Sequence, residues 1–277
     1  MQKEDIINLA VDFVQNSEDN IISKEIALSE NVVGMRMFEE PIFAFGASDD
    51  KLFNTFKDPA IIGEQFMTPL EWLPSAKTVI AFFLPYTDAV KEGNLRDMSW
   101  PTEEWLHARV EGQAFIFKLC EHLNSALIKS GFNSIIPSLD KRFWSRTDSV
   151  VVEKNPTFGS NWSERHAAYV CGLGTFGLSK GLITKKGTAG RFGTILTELN
   201  LPADKREYED IYQYCSMCGA CAKHCPAQAI SIEKGKDHLL CAEFLYKTRQ
   251  KHQPRFGCGK CQVGVPCEKG VGKYLRT

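Results

Sequence analysis

Over residues 5–14 the apolar positions Ile6, Leu9, Ala10, Phe13 and Val14 recur on one face, and this period predicts a short amphipathic helix. The stretch 20–70 is mixed in character and predicts no defined element. Residues 77–86, KTVIAFFLPY, form a continuous apolar run ended by Pro85, the pattern of a central strand buried on both faces. After Pro101 and Thr102, the positions Leu106, Val110, Ala114, Phe117, Cys120, Leu123 and Leu127 fall three or four apart, predicting a long helix over 103–129 that Gly131 ends. A shorter helix is expected over 162–170, stopped by Gly172 and Gly174, and a strand over 193–199. The polar stretch 200–212 reads as a boundary between a larger unit, 1–205, and a smaller one, 206–277.

Composition agrees with one large and one small domain: 277 residues, 43% of them hydrophobic, can bury a real core and carry an appended module. A net charge of -1 offers no basic stripe for nucleic acid, so no such partner is expected. The first residues mix Lys3, Glu4, Asp5, Asp12, Glu18 and Asp19 among apolar ones, unlike a signal peptide. No apolar run approaches the roughly 20 residues of a membrane-spanning helix. A cytoplasmic protein with no membrane partner is the expectation.

The cysteines change this picture most. Eight of the ten fall between Cys215 and Cys267, a clustering that favours metal over disulfides. Cys215, Cys218, Cys221 and Cys225, followed by Pro226, have the spacings two, two and three and the terminal Cys-Pro of bacterial ferredoxins. In that pattern three thiolates on a tight loop serve one [4Fe–4S] cluster and the fourth serves another. Cys241, Cys258, Cys261 and Cys267 supply the remaining thiolates. The crossover assigns Cys215, Cys218, Cys221 and Cys267 to one cluster, and Cys225, Cys241, Cys258 and Cys261 to the other. A pair of four-cysteine zinc sites is the alternative, although zinc ligands rarely form a run ending in Cys-Pro. Cys120, on a helical apolar face, and Cys171, beside a glycine loop, are expected in the core.

Upstream, Gly172-Leu173-Gly174-Thr175-Phe176-Gly177 and Gly187-Thr188-Ala189-Gly190-Arg191-Phe192-Gly193 are dense in glycine. Such density lets backbone approach a flat cofactor, with Gly172, Leu173, Gly174, Phe176 and Phe192 lining it and Lys180 and Arg191 pairing its acidic groups. The plainer alternative is a set of turns between a helix and two strands. Neither a Rossmann nor a Walker loop is present. Arg165, His166 and Tyr169 share the preceding helix and are candidates for a substrate-facing anion clamp or proton donor. Asp140, Arg142 and Trp144 form a polar-aromatic cluster to which no reaction is assigned.

Glu164-Arg165, the Gly172-Leu173-Gly174 loop, Gly187, Gly193 and the order of the eight cysteines together resemble epoxyqueuosine reductases and their relatives, the reductive dehalogenases, over roughly residues 70–270. The resemblance implies an α+β protein: a nitroreductase-like α/β domain holding cobalamin, followed by a ferredoxin-like domain with two [4Fe–4S] clusters. It further implies a reductase supplied by ferredoxin or flavodoxin and acting on a small molecule. FMN in place of the corrinoid, and a non-enzymatic electron carrier or corrinoid-handling protein, are the alternatives. The acid that tRNA-acting members place six residues before Glu-Arg falls on Phe158, and no carboxylate lies between Lys154 and Glu164. The sequence reaches Thr277 without the helical repeats common in those enzymes, and no twin-arginine leader is seen, so neither epoxyqueuosine reduction on tRNA nor respiratory dehalogenation is expected. The basic stretch 249–277 reads as a docking patch for an acidic ferredoxin or a solvated face.

Overall fold

A computed structural model describes residues 1–146 and 159–272. Phe158, with Asp148 and Glu153, lies outside the described residues, as do Lys273 and Arg276 at the end of the basic stretch. The principal elements are α1 (Lys3–Asn16), β1 (Ile42–Ala47), β2 (Thr78–Pro85), α2 (Asp88–Leu95) and α3 (Glu103–Lys129). They continue with β3 (Ser134–Ile135), α4 (Glu164–Cys171), β4 (Gly174–Phe176), β5 (Leu182–Thr184), β6 (Gly190–Thr197) and α5 (His238–His252).

The main sheet has the order β1-β2-β6-β3, with antiparallel neighbours throughout. Every residue of β2 is buried, because helices cover both faces of the sheet. Alternation divides its side chains: Ile80, Phe82 and Leu84 join a core with α1 and α3, whereas Val79, Ala81 and Phe83 join a second core with α4. The result is a three-layer α/β/α unit whose central strand is the apolar run visible in the sequence.

The long helix has the expected bounds, but its buried stripe differs from the expected one. Trp105, Ala108, Gly112, Phe115, Ile116, Leu119, Cys120, Leu123 and Leu127 are buried, while Ala114 is exposed and Val110 and Phe117 are only partly covered. Each step of four residues overshoots a full turn by about 40°, so the path from Leu106 to Val110 to Ala114 rotates away from the sheet. Strand β6 begins three residues earlier than expected, at Gly190, and takes Arg191 and Phe192 into the sheet, with Phe192 opposite Phe83. Within 20–70 the structure forms β1, whose short sequence with Gly46 gave no period.

The stretch 200–212 has no helix or strand, yet it is pinned to the larger unit. Asp204 accepts hydrogen bonds from the Phe45 N–H at 2.8 Å and from Lys3 Nζ at 2.5 Å. Arg206 donates to Asp50 at 2.5 Å and to the Val170 carbonyl at 2.9 Å. Among the described residues no helix is long and apolar enough to cross a membrane.

Candidate functional site

The first cysteine run folds as a tight turn, with Met217 at φ 53° and Gly219 at φ 73° reversing the backbone between the thiols. The Leu178 N–H donates to Cys215 Sγ at 3.4 Å, and the Ala229 N–H to Cys225 Sγ at 3.3 Å. Cys241 is carried on α5, whose start is capped by Asp237 accepting from the Leu239 and Leu240 N–H groups. Gly259, at φ 68°, lays the Cys258–Cys261 turn on the Trp105 indole of α3, where a Cβ would come within 1.9 Å of the ring.

Electrostatics shows which thiols are neighbours. Burial pushes the Cys267 thiol up to about 12, and charges at Cys215, Cys221 and Cys218 push in the same direction. Cys221 is also pushed up to about 12 by burial, then by Cys261, Cys215 and Cys218. Burial raises Cys258 to about 12, aided by Cys261 and Cys241, and Cys261 is raised by burial, then by Cys241 and Cys225. The chain thus brings Cys267 to the three thiols of the first turn, and Cys225 to those of the α5 side, with Cys221 and Cys261 where the two sets meet. Cys218 is exposed, whereas the other seven are partly buried.

The surroundings of the two sets differ. Lys260, between Cys258 and Cys261, is fully buried, and its Nζ donates to the backbone carbonyl and Oδ1 of Asn94, each at 2.6 Å. Burial pulls this ammonium down to about 8 against the opposing pull of the Cys258 charge. Lys236 acts favourably on the Cys261 thiolate, and Arg165 of α4 senses both Cys261 and Cys241. Within the second set, Cys258 thus feels the charge of Lys260, and Cys241 and Cys261 that of Arg165 on α4.

One face of α4 packs Ala167, Ala168, Val170 and Cys171 onto the sheet, which turns Arg165, His166 and Tyr169 the other way. Arg165 is exposed to solvent, yet desolvation lowers its pKa, followed by repulsion from Arg191; this is the setting of a side chain in a recess. It donates to the Lys180 carbonyl at 2.9 Å, while Lys180 donates to the Tyr212 hydroxyl. His166 packs against Phe56 and Phe176, at 5.0 and 4.8 Å between ring centroids, and accepts or donates at Nδ1 with Ser163 Oγ at 2.7 Å. Desolvation, then Arg165 and Lys180, pull His166 down to about 3, so it is neutral at ordinary pH. Tyr169 stacks on Tyr208. Arg191 is tied to Gln113 of α3.

Glu164, which the sequence offered only as part of a motif, accepts from Thr194 Oγ1 at 2.5 Å, and Trp162 Nε1 donates to that same hydroxyl at 2.9 Å. Burial raises its carboxyl to about 7 despite these hydrogen bonds. Its place in the Glu164-Arg165 pair, at the first turn of α4, was the signal the sequence offered.

The glycines have a different role from the expected cradle. A Cβ on Gly174 would meet the Ile183 carbonyl of β5 at 2.0 Å, one on Gly190 the Leu84 carbonyl at 2.3 Å, and one on Gly193 the Phe82 ring at 2.4 Å. A Cβ on Gly187 would meet the Glu268 carbonyl, next to Cys267, at 2.0 Å. Leu173 and Phe176 are buried in the α4-side core, with Phe192 packed against it, and Gly172 ends α4 in the left-handed conformation. Close packing within the protein thus fills the space a side chain would need at Gly174, Gly187, Gly190 and Gly193. Cys120 and Cys171 lie in the core as expected, with Cys171 Sγ donating to the Val79 carbonyl at 3.5 Å. Asp140 pairs with Arg142, whose guanidinium lies 4.8 Å from the Trp72 ring, a structural clasp. A cleft of about 460 Å³ lies elsewhere, between Pro101, Leu106, Lys251 and His252, and none of the expected site residues lines it.

A family model described as a 4Fe-4S binding domain matches residues 208–231, the segment with the first four cysteines. Tetrachloroethene reductive dehalogenases from Desulfitobacterium hafniense and Dehalobacter restrictus are each 43% identical over 112 residues, or 38% of this chain and 20% of theirs. The matched region is thus a fifth of the length of those relatives. In structure, an epoxyqueuosine reductase from Bacillus subtilis superposes with a TM-score of 0.53 at 17% identity, covering 99% of this chain and 67% of its own. A catabolic reductive dehalogenase gives a TM-score of 0.53 at 14% identity, covering 98% of this chain and 37% of its own. The chain carries a 4Fe-4S binding domain on a fold shared with epoxyqueuosine reductases and reductive dehalogenases, and it is related in sequence to the latter.

Proposed function

We propose that this protein is a reductase with two [4Fe–4S] clusters, bound by the two thiol sets, and a corrinoid beside α4 in a nitroreductase-like domain. The observation that supports the reading is that the charges of Cys261 and Cys241 act on Arg165, so the second thiol set is within electrostatic reach of the face of α4 that carries Arg165.

The residues fit the clusters. Each set offers four thiols from two or more segments; Cys221 and Cys267 in one and Cys258 and Cys261 in the other are raised in pKa by burial and then by neighbouring thiols, a condition that bound iron relieves. Among the described residues no three His, Cys, Asp or Glu side chains converge on a single ion. A cubane asks for something looser, since each thiolate binds a different iron. For the ring the fit lies on the free face of α4, with Arg165, Tyr169 and Lys180 as the groups that would hold it, and not on the glycines.

When bound, the clusters relay single electrons and a corrinoid supplies a cobalt centre that they reduce. Cys218, exposed, leaves the first set open to a protein donor such as ferredoxin or flavodoxin. Arg165 and Lys180 bring positive charge to the recess and suit an acidic ring substituent or an anionic small substrate. Glu164, with its carboxyl near neutrality, can hold a proton at Oε2 that Thr194 otherwise donates toward, and Tyr169 offers a phenol.

Anaerobic titration of the cluster-replete protein with cob(II)alamin, followed by electron paramagnetic resonance, tests the reading. A cobalt signal that changes to the base-off form is expected. A signal identical to that of free cob(II)alamin would remove the corrinoid from the account.

A further inference from the structure

We propose that Lys260 is the fixed counter-cation of the second cluster and raises that cluster's reduction potential above the potential of the first; this rests on the cluster reading above.

A lysine inside a Cys-x-x-Cys turn would ordinarily extend into solvent. Here the side chain is fully buried and is held by two oxygens of one residue, the backbone carbonyl and Oδ1 of Asn94, at 2.6 Å each. Asn94 is itself buried and uses its amide to donate to the Cys258 carbonyl at 2.9 Å. The clamp thus ties α2 to the cysteine turn and fixes the ammonium beside it. Both oxygens are neutral, and the carboxylate that acts on Lys260, Asp97, does so through space and is not one of its hydrogen-bond partners. A buried cation that makes no direct contact with a carboxylate is costly unless further negative charge lies near. Four thiolates around a [4Fe–4S] core provide that charge: the assembly carries two negative charges when oxidised and three when reduced.

Reduction adds one electron from an external one-electron donor and neither forms nor breaks a bond. The added negative charge is stabilised by a fixed cation in a low-dielectric site, so the reduced state gains more than the oxidised one. In the other set the lysines next to the cysteines, Lys223 and Lys269, are exposed, where water and salt screen their charge. Electrons entering near exposed Cys218 would then pass to the second cluster downhill.

The test is a potentiometric titration of the full-length holoprotein, monitored by electron paramagnetic resonance with dithionite as reductant, alongside an iron assay. In Lys260→Gln, the midpoint of the second cluster should fall by at least a tenfold change in its reduction equilibrium, or about 59 mV for one electron, while the first stays in place. The Cys221→Ser protein, which retains the second cluster, assigns the two waves. Lys260→Arg should restore most of the shift. Should Lys260→Gln fail to load iron, Asn94→Asp decides: its carboxylate neutralises the ammonium in place and should lower the same midpoint. Iron-replete variants with an unmoved second midpoint would overturn the Lys260 assignment alone, whereas wild-type protein that binds no iron would overturn the cluster reading as well.

Discussion

The two thiol sets are built from the same residue type and meet at Cys221 and Cys261, but they occupy different settings. The first includes the exposed Cys218, and the charges that act on Cys221 and Cys267 after burial are those of other thiols. The second is flanked by buried Lys260, by Lys236 and by Arg165 of the α4 helix. Four cysteines determine that a cluster can bind. The charges and solvent access around them determine whether it receives electrons or delivers them.

Each set also packs against the larger unit at a glycine with no room for a side chain, which allows the comparison to be broken from either side. Alanine at Gly259 would drive a Cβ into Trp105 at a φ of 68°, and alanine at Gly187 would drive one into the Glu268 carbonyl at a φ of 87°. Each should cost on the order of 3 kcal/mol, read as a lower denaturation midpoint. The selective effect is on iron: Gly259→Ala should lose the second cluster first and Gly187→Ala the first. Equal loss of both clusters in both proteins would mean that the module behaves as one unit.

A smaller effect should leave both sets untouched. The Glu164 carboxyl is raised from its ordinary value to about 7, so the folded state binds its proton more tightly than the unfolded chain. The contribution is fully present below about pH 4.5 and is lost as pH rises through 7, making the wild type less stable at pH 8 than at pH 5 by on the order of 2 kcal/mol from this group. Glu164→Gln should flatten that part of the pH profile in thermal melts, with iron content unchanged. A profile that keeps its slope in the variant would show that other groups cause it.

Several of these features were legible in the chain, and for identifiable reasons. Residues 77–86 announce a central strand because a strand covered on both faces has no polar positions to interrupt it. The cysteine sets are proposed from spacing, on the pattern in which a tight turn holds three thiols together and excludes the fourth. The glycines were ambiguous, because a residue without a side chain is required equally by a cofactor's edge and by the protein's own carbonyls at Ile183, Leu84 and Glu268. Lys260 could not be read as buried, for its partner Asn94 lies 166 positions away and only the folded chain joins them. The stripe of α3 shows the limit of counting: spacings of three and four are both helical, but their order decides which face is buried.

The central claim is that Cys225 leaves its own run and serves the second set. The most direct test compares iron and acid-labile sulfide in anaerobically purified Cys225→Ser and wild-type protein, with electron paramagnetic resonance of the reduced samples. The account predicts about eight irons in the wild type and about four in the variant, the surviving signal matching the one lost in Cys221→Ser. A Cys225→Ser protein that loses the same signal as Cys221→Ser would contradict it, placing all four cysteines of the run on a single cluster.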